Sequence, residues 1–391
     1  MTIKKSERNS NFELMRIISM LFVVIYHVRM HSGFDVRATG TVDLVLSFIT
    51  SIIVVHVNSF VLLSGYFQSK SKMKISKAIK LNNATWFYKV LFLIIALLLV
   101  NKFGIRVDGN FEKINILKTL SPLDHGIYWF IDCYLVLYLI SPLLNKLIAN
   151  LTKKEFEKAL LLLFVLFSII PLLTVEEVIY TRVGHSVTTF ILLYFIGAYL
   201  RIYPIKENYY FKRMSKRLRQ TLYILIIITV PVISLSGRLV AEKINGYGVV
   251  PAQLSQILLI NYLGFGSPFI IIESVAYLLL FESFSINNRI INKLSQYTFG
   301  VYLVHENIFV RENLYRYIGF TRIENITLKT IVLMLITAII IYIISTLIEA
   351  LRQLLFKFIY NRKISKKIRD ASTQYIKDIG LIDNEKIEGV N

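Results

Sequence analysis

The sequence predicts an all-α fold, a polytopic membrane helix bundle of about ten transmembrane helices with both termini in the cytoplasm. Three observations carry this expectation. The 391 residues are 55% hydrophobic, with a mean hydropathy of +0.58, more apolar than a soluble chain of this size. Several apolar runs reach about 18 residues or more, enough to cross a bilayer as a helix. The Lys and Arg residues alternate between loops in the manner of the positive-inside rule.

Ten spans follow in order, at roughly 14–30, 42–67, 84–104, 127–149, 158–175, 185–203, 219–236, 264–284, 294–312 and 327–357. With the N-terminus inside, the inner segments carry 30 Lys and Arg and the outer ones 13, and Arg16 and Lys89 fall within spans. An eleventh span through 249–265, a mildly apolar stretch broken by Pro251 and Gly264, would put the basic tail outside, which the rule disfavours. Residues 9–360 read as one transmembrane domain, and 361–391 as a basic cytoplasmic tail expected to be disordered. The start MTIKKSERNSNFELMR is basic, then apolar, but no small-x-small cleavage pattern follows Val28, so it reads as a retained first span. The lone Cys133 cannot form an intrachain disulfide and is silent on redox compartment.

A net charge of +20 raises nucleic acid as a partner, but the charge sits in alternating loops beside membrane spans, which argues against it. There is no HExxH or paired CxxC to bind a metal, no GxxxxGKS to cradle phosphate and no GxSxG elbow. No metal or bound cofactor is therefore expected.

The first span, ELMRIISMLFVVIYHVRM, holds Arg16 and His27 in one apolar run. Eleven steps at about 100° come to roughly 20° past three turns, so the two share a face, about 16 Å apart in depth. Polar groups on one stripe of a membrane helix point to function. Acyl transfer from a thioester to a hydroxyl needs a general base near neutral pH, which suits His27. It also needs a cation for phosphates or a developing oxyanion, which suits Arg16. The separation keeps them off one atom but would bracket something long and thin, such as a pantetheine arm. The blander alternative for Arg16 is snorkelling beside Glu13, and for His27 an interfacial position.

Span two ends in FVLLSGYF, where Ser64 and Gly65 allow a close backbone approach or a helix cap. Lys70, Lys72, Lys74, Lys77 and Lys80 follow, either an ordinary positive-inside loop or a clamp for a phosphorylated donor. Span four opens with Trp129 and Phe130, carries Asp132 and includes Pro142, expected to kink it. Span eight holds Glu273, and span nine, TFGVYLVHENIF, holds Tyr302, His305, Glu306 and Asn307. His305 and Glu306 lie away from the ends of their span, although a single buried hydrogen bond could account for them. His31 and His56 read as packing or pathway residues, His125 and His185 as loop residues.

These features together resemble the membrane-bound acyltransferase-3 family, which includes bacterial saccharide O-acetyltransferases. The resemblance rests on Arg, ten residues and His in the first span (Arg16, His27), on the Ser64–Gly65 stretch, on Trp129, Phe130 and Pro142, and on Gly300, Tyr302, Leu303 and His305. It runs from about Asn9 to about Tyr360. Two features depart from the family. Its members often have paired arginines after Ser-Gly, where this loop has lysines, and adjacent phenylalanines before it, where Phe60 stands alone.

The resemblance implies transfer of an acyl group, most often acetyl, from cytoplasmic acyl-CoA (acetyl-CoA) to a saccharide hydroxyl. The acceptor would be an envelope glycan or lipid-linked saccharide, and the setting a bacterial plasma membrane with its lipids as neighbours. By this reading His27 and Arg16 are catalytic. Ser64, Gly65, Lys70, Lys72 and Lys74 hold the donor, and His305, Tyr302, Asp132 and Glu273 line or support the path. Many relatives append a soluble domain that finishes the transfer. None is expected here, so the membrane domain or a separate extracytoplasmic transferase would complete it. The rival readings are a non-catalytic transporter or flippase of a glycan or lipid-linked sugar, and a polyprenyl-phosphate-sugar glycosyltransferase using Asp35 and Asp43.

Overall fold

The computed structural model describes residues 8–105, 107, 128–173, 184–246 and 264–360, and every regular element among them is helical. The stretch 249–263, His125 and the basic tail 361–391 lie outside the described residues.

Helix α1 (Ser10–Ser32) begins at Asn9, whose side chain accepts the Asn11 N–H, and ends at Gly33. Gly33 has φ 66°, the left-handed conformation that closes helices when no Cβ interferes. After the short α2 (Phe34–Arg37), helices α3 (Gly40–Ile53) and α4 (His56–Gln68) form one span with a break at Val54–Val55. His56 Nδ1 donates to the Ile53 carbonyl at 2.7 Å, taking an acceptor freed by the break.

Helix α5 (Ile75–Phe103) is followed among the described residues by α6 (Trp129–Asn150). Pro142 sits inside α6 and has no N–H for the Tyr138 carbonyl, and the Ser141 hydroxyl donates to that carbonyl instead at 2.7 Å. Helix α7 (Lys153–Phe164) starts in a reciprocal Thr152–Glu155 capping box and continues through a π turn into α8 (Ile170–Leu173). Next come α9 (Val187–Ile202), α10 (Tyr209–Arg213), α11 (Lys216–Gly246) and α12 (Pro268–Glu282). The chain closes with α13 (Arg289–Leu294), α14 (Thr298–His305), α15 (Ile308–Ile318) and α16 (Leu328–Tyr360).

Among the described residues, seven helices are long and apolar enough to cross a membrane: α1, α3–α4, α5, α6, α7–α8, the first part of α11, and α16. The spans expected at 185–203 and 264–284 are helices of 16 and 15 residues. The span expected to be continuous over 294–312 is not. It breaks after His305 and restarts at Ile308, because the Asn307 side chain accepts the Phe309 N–H and caps a new helix.

The exposed face of α16 shows why this is a multi-pass membrane protein. Val332, Ile336, Ile339, Ile343, Leu347, Leu351 and Leu354 point outward, while Met334, Ala338, Ser345 and Glu349 are buried. A large apolar stripe turned outward suits lipid, not water. Helix α1 lies at the centre, packed against α3, α4, α12, α14, α15 and α16. Its Phe12 and Met15 join one apolar core with residues of α4, α9 and α12. Its Met20, Val24 and Val28 join another with residues of α5, α14 and α16.

Candidate active site

Helices α1 and α4 run antiparallel and frame a cavity of about 580 Å³. Their register follows from ring contacts at both ends. Phe12 and the Arg16 guanidinium meet Phe67, with centroid distances of 5.2 and 5.7 Å, and ten residues later Tyr26 meets His56 at 5.2 Å. The cavity is lined along α1 by Glu13, Arg16, Met20, Val23, Tyr26, His27 and Met30, so the stripe foreseen from helical spacing faces one continuous space. Arg8, Lys77, Gln68 and Gln296 surround the Arg16 end, and Glu306 and Arg311 lie beside His27.

At the His27 end, two histidines and an arginine converge on one carboxylate. Glu306 Oε2 lies 3.1 Å from His27 Nδ1 and 3.1 Å from His31 Nε2, and Arg311 Nη1 donates to Oε1 at 2.8 Å. His27 Nδ1 also lies 2.9 Å from His305 Nε2. The proton positions follow from His305. Its Nδ1 is 2.6 Å from the Val301 carbonyl, which can only accept, so Nδ1 carries the hydrogen. In the neutral ring Nε2 is then an acceptor, and the proton between the rings belongs to His27 Nδ1. Glu306 draws the same proton. Both neighbours thus leave His27 Nε2 as the basic nitrogen of a cavity-lining ring.

The break at Glu306–Asn307 is what assembles this cluster. Asn307 restarts the helix, so Glu306 can turn towards α1 and Arg311 rises one turn into α15 to meet it. Tyr302 lines the cavity at a ring distance of 6.4 Å from His27. Tyr128 donates to the Leu303 carbonyl at 2.6 Å and accepts from the Asn307 amide at 3.0 Å, holding both sides of the break.

His27 Nδ1, His305 Nε2 and a Glu306 oxygen lie within 4.8 Å of one another, a donor set of the kind that can hold a metal, although no metal spacing was legible in sequence. Separations of 2.9 and 3.1 Å are shorter than the roughly 3.3 Å edge of a tetrahedral zinc site and fit hydrogen bonds.

At the other end Arg16 pairs with Glu13 at 2.6 Å, the contact its position in sequence allowed, and still lines the cavity. Ser64 lines the cavity, donates to the Phe60 carbonyl at 2.9 Å and lies 3.3 Å from the Tyr134 hydroxyl. Gly65 serves packing: a Cβ there would fall 2.1 Å from the Tyr194 carbonyl oxygen of α9, and one on Gly197 would fall 2.2 Å from that of Leu62. The two glycines let α4 and α9 touch backbone to backbone.

Lys72 and Lys74 line a smaller pocket of about 210 Å³ with Lys77, Tyr138 and Ser141, whereas Lys70 lines neither cavity. The Tyr138 hydroxyl ties this loop to α6, accepting from the Lys74 N–H at 3.0 Å and donating to its carbonyl at 3.1 Å. Asp132 is half-buried in the first turn of α6, and Glu273 is fully buried in α12 with neither oxygen hydrogen-bonded; neither lines the main cavity.

Sequence reasoning noted Glu306 but gave it no role, and it missed Arg311. The spacing Glu306, Arg311 spans the helix break, so no regular periodicity could pair them. No curated protein and no solved structure matches the chain significantly. Residues 9–350 match the family profile of an acyltransferase domain, and with so much of its length covered the chain belongs to the acyltransferase-3 family.

Proposed function

We propose that this membrane acyltransferase is an O-acyltransferase that moves an acetyl group from cytoplasmic acetyl-CoA to a hydroxyl of a cell-envelope saccharide, in a bacterial plasma membrane. The observation that supports this most directly is a single cavity joining a basic mouth to a histidine poised as a base. Arg8, Arg16 and Lys77 stand at one end, and His27 with Glu306 at the other. Along α1 the mouth and the base are separated by about 16 Å, a length that suits an extended pantetheine arm between phosphates and thioester.

In this mechanism His27 Nε2 takes the proton of the acceptor hydroxyl as its oxygen attacks the thioester carbonyl. Glu306 balances the imidazolium and His305 keeps the ring in register, as a carboxylate does for the histidine of a hydrolytic triad. Collapse of the tetrahedral intermediate breaks the carbon–sulfur bond, and the proton returns to the CoA sulfur. Arg16 and Lys77, with the lysines of the neighbouring pocket, engage the donor phosphates as point charges and hydrogen-bond donors. The cytoplasmic placement of that basic mouth follows from the positive-inside count.

The test is label transfer from radiolabelled acetyl-CoA to a crude envelope-glycan acceptor, using the protein in nanodiscs. Incorporation by the wild type and its loss in Arg16→Ala and His27→Ala proteins is the expected result. A folded wild type that neither incorporates label nor releases CoA, across several acyl-CoAs, would overturn the reading in favour of a glycan transporter.

A further inference from the structure

The main cavity does not stop at His27. Beside Tyr26 its lining continues over His56, Trp129, Phe130, His185 and Phe265, an aromatic chamber of the same cavity. Their rings form a connected set. Tyr26 lies 6.0 Å from His27 and 5.2 Å from His56, and His56 meets Phe265 edge-on at 5.4 Å. Trp129 stacks parallel to Phe265 at 6.0 Å, and His185 packs against both, at 4.3 and 4.9 Å.

This wall is held in place. The Asn58 amide donates to the Phe265 carbonyl at 2.9 Å, and the Ser168 hydroxyl to that of Gly266 at 2.7 Å. Gly184, at φ 97°, presses on Gly266 so closely that a Cβ would come within 2.3 Å of the Gly266 nitrogen. The loops carrying His185 and Phe265 are therefore locked together by backbone contact, and the aromatic surface is preorganised. His56 adds a polar point. Its Nδ1 is used on the Ile53 carbonyl, which leaves Nε2 as an acceptor in the chamber wall.

The nature of this wall selects its ligand. A fatty chain would be matched by aliphatic side chains, and the pantetheine arm is already accounted for between Arg16 and His27. Flat aromatic faces with the His56 Nε2 acceptor beside them match a ring that is apolar on its C–H face and carries hydroxyls at its edge. We propose that this chamber is the acceptor subsite. It takes a single pyranose ring, packed against Trp129 and Phe265 with one hydroxyl donating to His56 Nε2, and so delivers a neighbouring hydroxyl to His27. The proposal rests on the acyl-transfer reading for its purpose but not for its detection.

Detection uses the two tryptophans of the chain, Trp86 and Trp129. Trp86 lies on an exposed face of α5, so a Trp86→Phe protein in detergent, free of the tryptophans of a nanodisc scaffold, reports emission from Trp129 alone. It is titrated with methyl glucoside, methyl galactoside and methyl N-acetylglucosaminide. A saturable change with at least one glycoside, lost in a Trp86→Phe/His56→Phe protein of unchanged melting temperature, is expected. In transfer assays Trp129→Leu should raise the KM for the same glycoside about tenfold or more and leave that for acetyl-CoA within about twofold, with Trp129→Tyr largely restored. Emission indifferent to all three glycosides, or an equal rise in both KM values, overturns the proposal. Because the titration needs no turnover, a protein that binds glycoside but releases no CoA would keep the subsite and sink the acyltransferase reading instead.

Discussion

His27 and Glu306, 279 positions apart in the chain, meet at 3.1 Å across the face between α1 and the break that separates α14 from α15. The contact fixes which nitrogen of His27 holds the proton. It also couples His27 to Arg311, whose guanidinium reaches the other carboxylate oxygen at 2.8 Å. The setting of His27 in the first span is thereby made dependent on a helix break near the far end of the sequence.

Glu306→Gln should therefore impair chemistry without emptying the site. The amide keeps the shape but presents an N–H donor that can meet His27 Nδ1 and favour the wrong tautomer. Acyl transfer is expected to fall about a hundredfold or more in kcat, with KM for acetyl-CoA little changed. Steady-state kinetics in nanodiscs would check this, and a matched rise in KM with intact kcat would remove the orienting role.

Arg311→Met should act on stability first. It strips the Arg311 guanidinium from a buried carboxylate that histidines also hold, and a buried charge deprived of its partner costs about 3–5 kcal/mol. A lowered melting temperature in detergent is expected. It should be partly restored in an Arg311→Met/Glu306→Gln double variant, which removes both charges; a double variant no more stable than the single one would show the two side chains to be independent.

The hydrogen-bond lengths around His27 predict indifference to chelators. Prolonged incubation with EDTA followed by gel filtration should leave acyl transfer within about twofold of the untreated rate, and metal analysis should find no stoichiometric zinc. Activity lost to EDTA and restored by zinc would reassign His27, His305 and Glu306 as ligands.

How much of this was readable in the sequence varies by residue. Arg16 and His27 share a stripe because helical geometry over eleven residues leaves little freedom, and the structure lines one cavity with both. The inward position of His305 was legible because a titratable group in the middle of a long apolar run has to be buried, even though the run turns out to break just after it. The break at Asn307 was not, since its cap depends on one side chain overriding an apolar pattern that continues on both sides. At Gly65 the sequence allowed a close backbone approach but could not say to what. A glycine beside a serine at the end of a span looks the same whether it approaches a ligand or another helix, and the contact with Tyr194 becomes visible only in the fold.

That last contact supplies a prediction of its own. Gly65→Ala would place a methyl group 2.1 Å from the Tyr194 carbonyl oxygen, and Gly197→Ala one 2.2 Å from that of Leu62. Backbone atoms cannot rotate aside as a side chain would, so α4 and α9 must separate, at a cost of about 1–3 kcal/mol each. Both variants should melt earlier. Because α4 also carries His56, Ser64 and Gln68 along the cavity wall, activity should fall in parallel. If Gly65 instead touched the donor, Gly65→Ala would raise the KM for acetyl-CoA at unchanged melting temperature, and Gly197→Ala, on the far side of the contact, would not. Melting curves and KM values for the two variants, measured side by side, separate a packing glycine from a binding one.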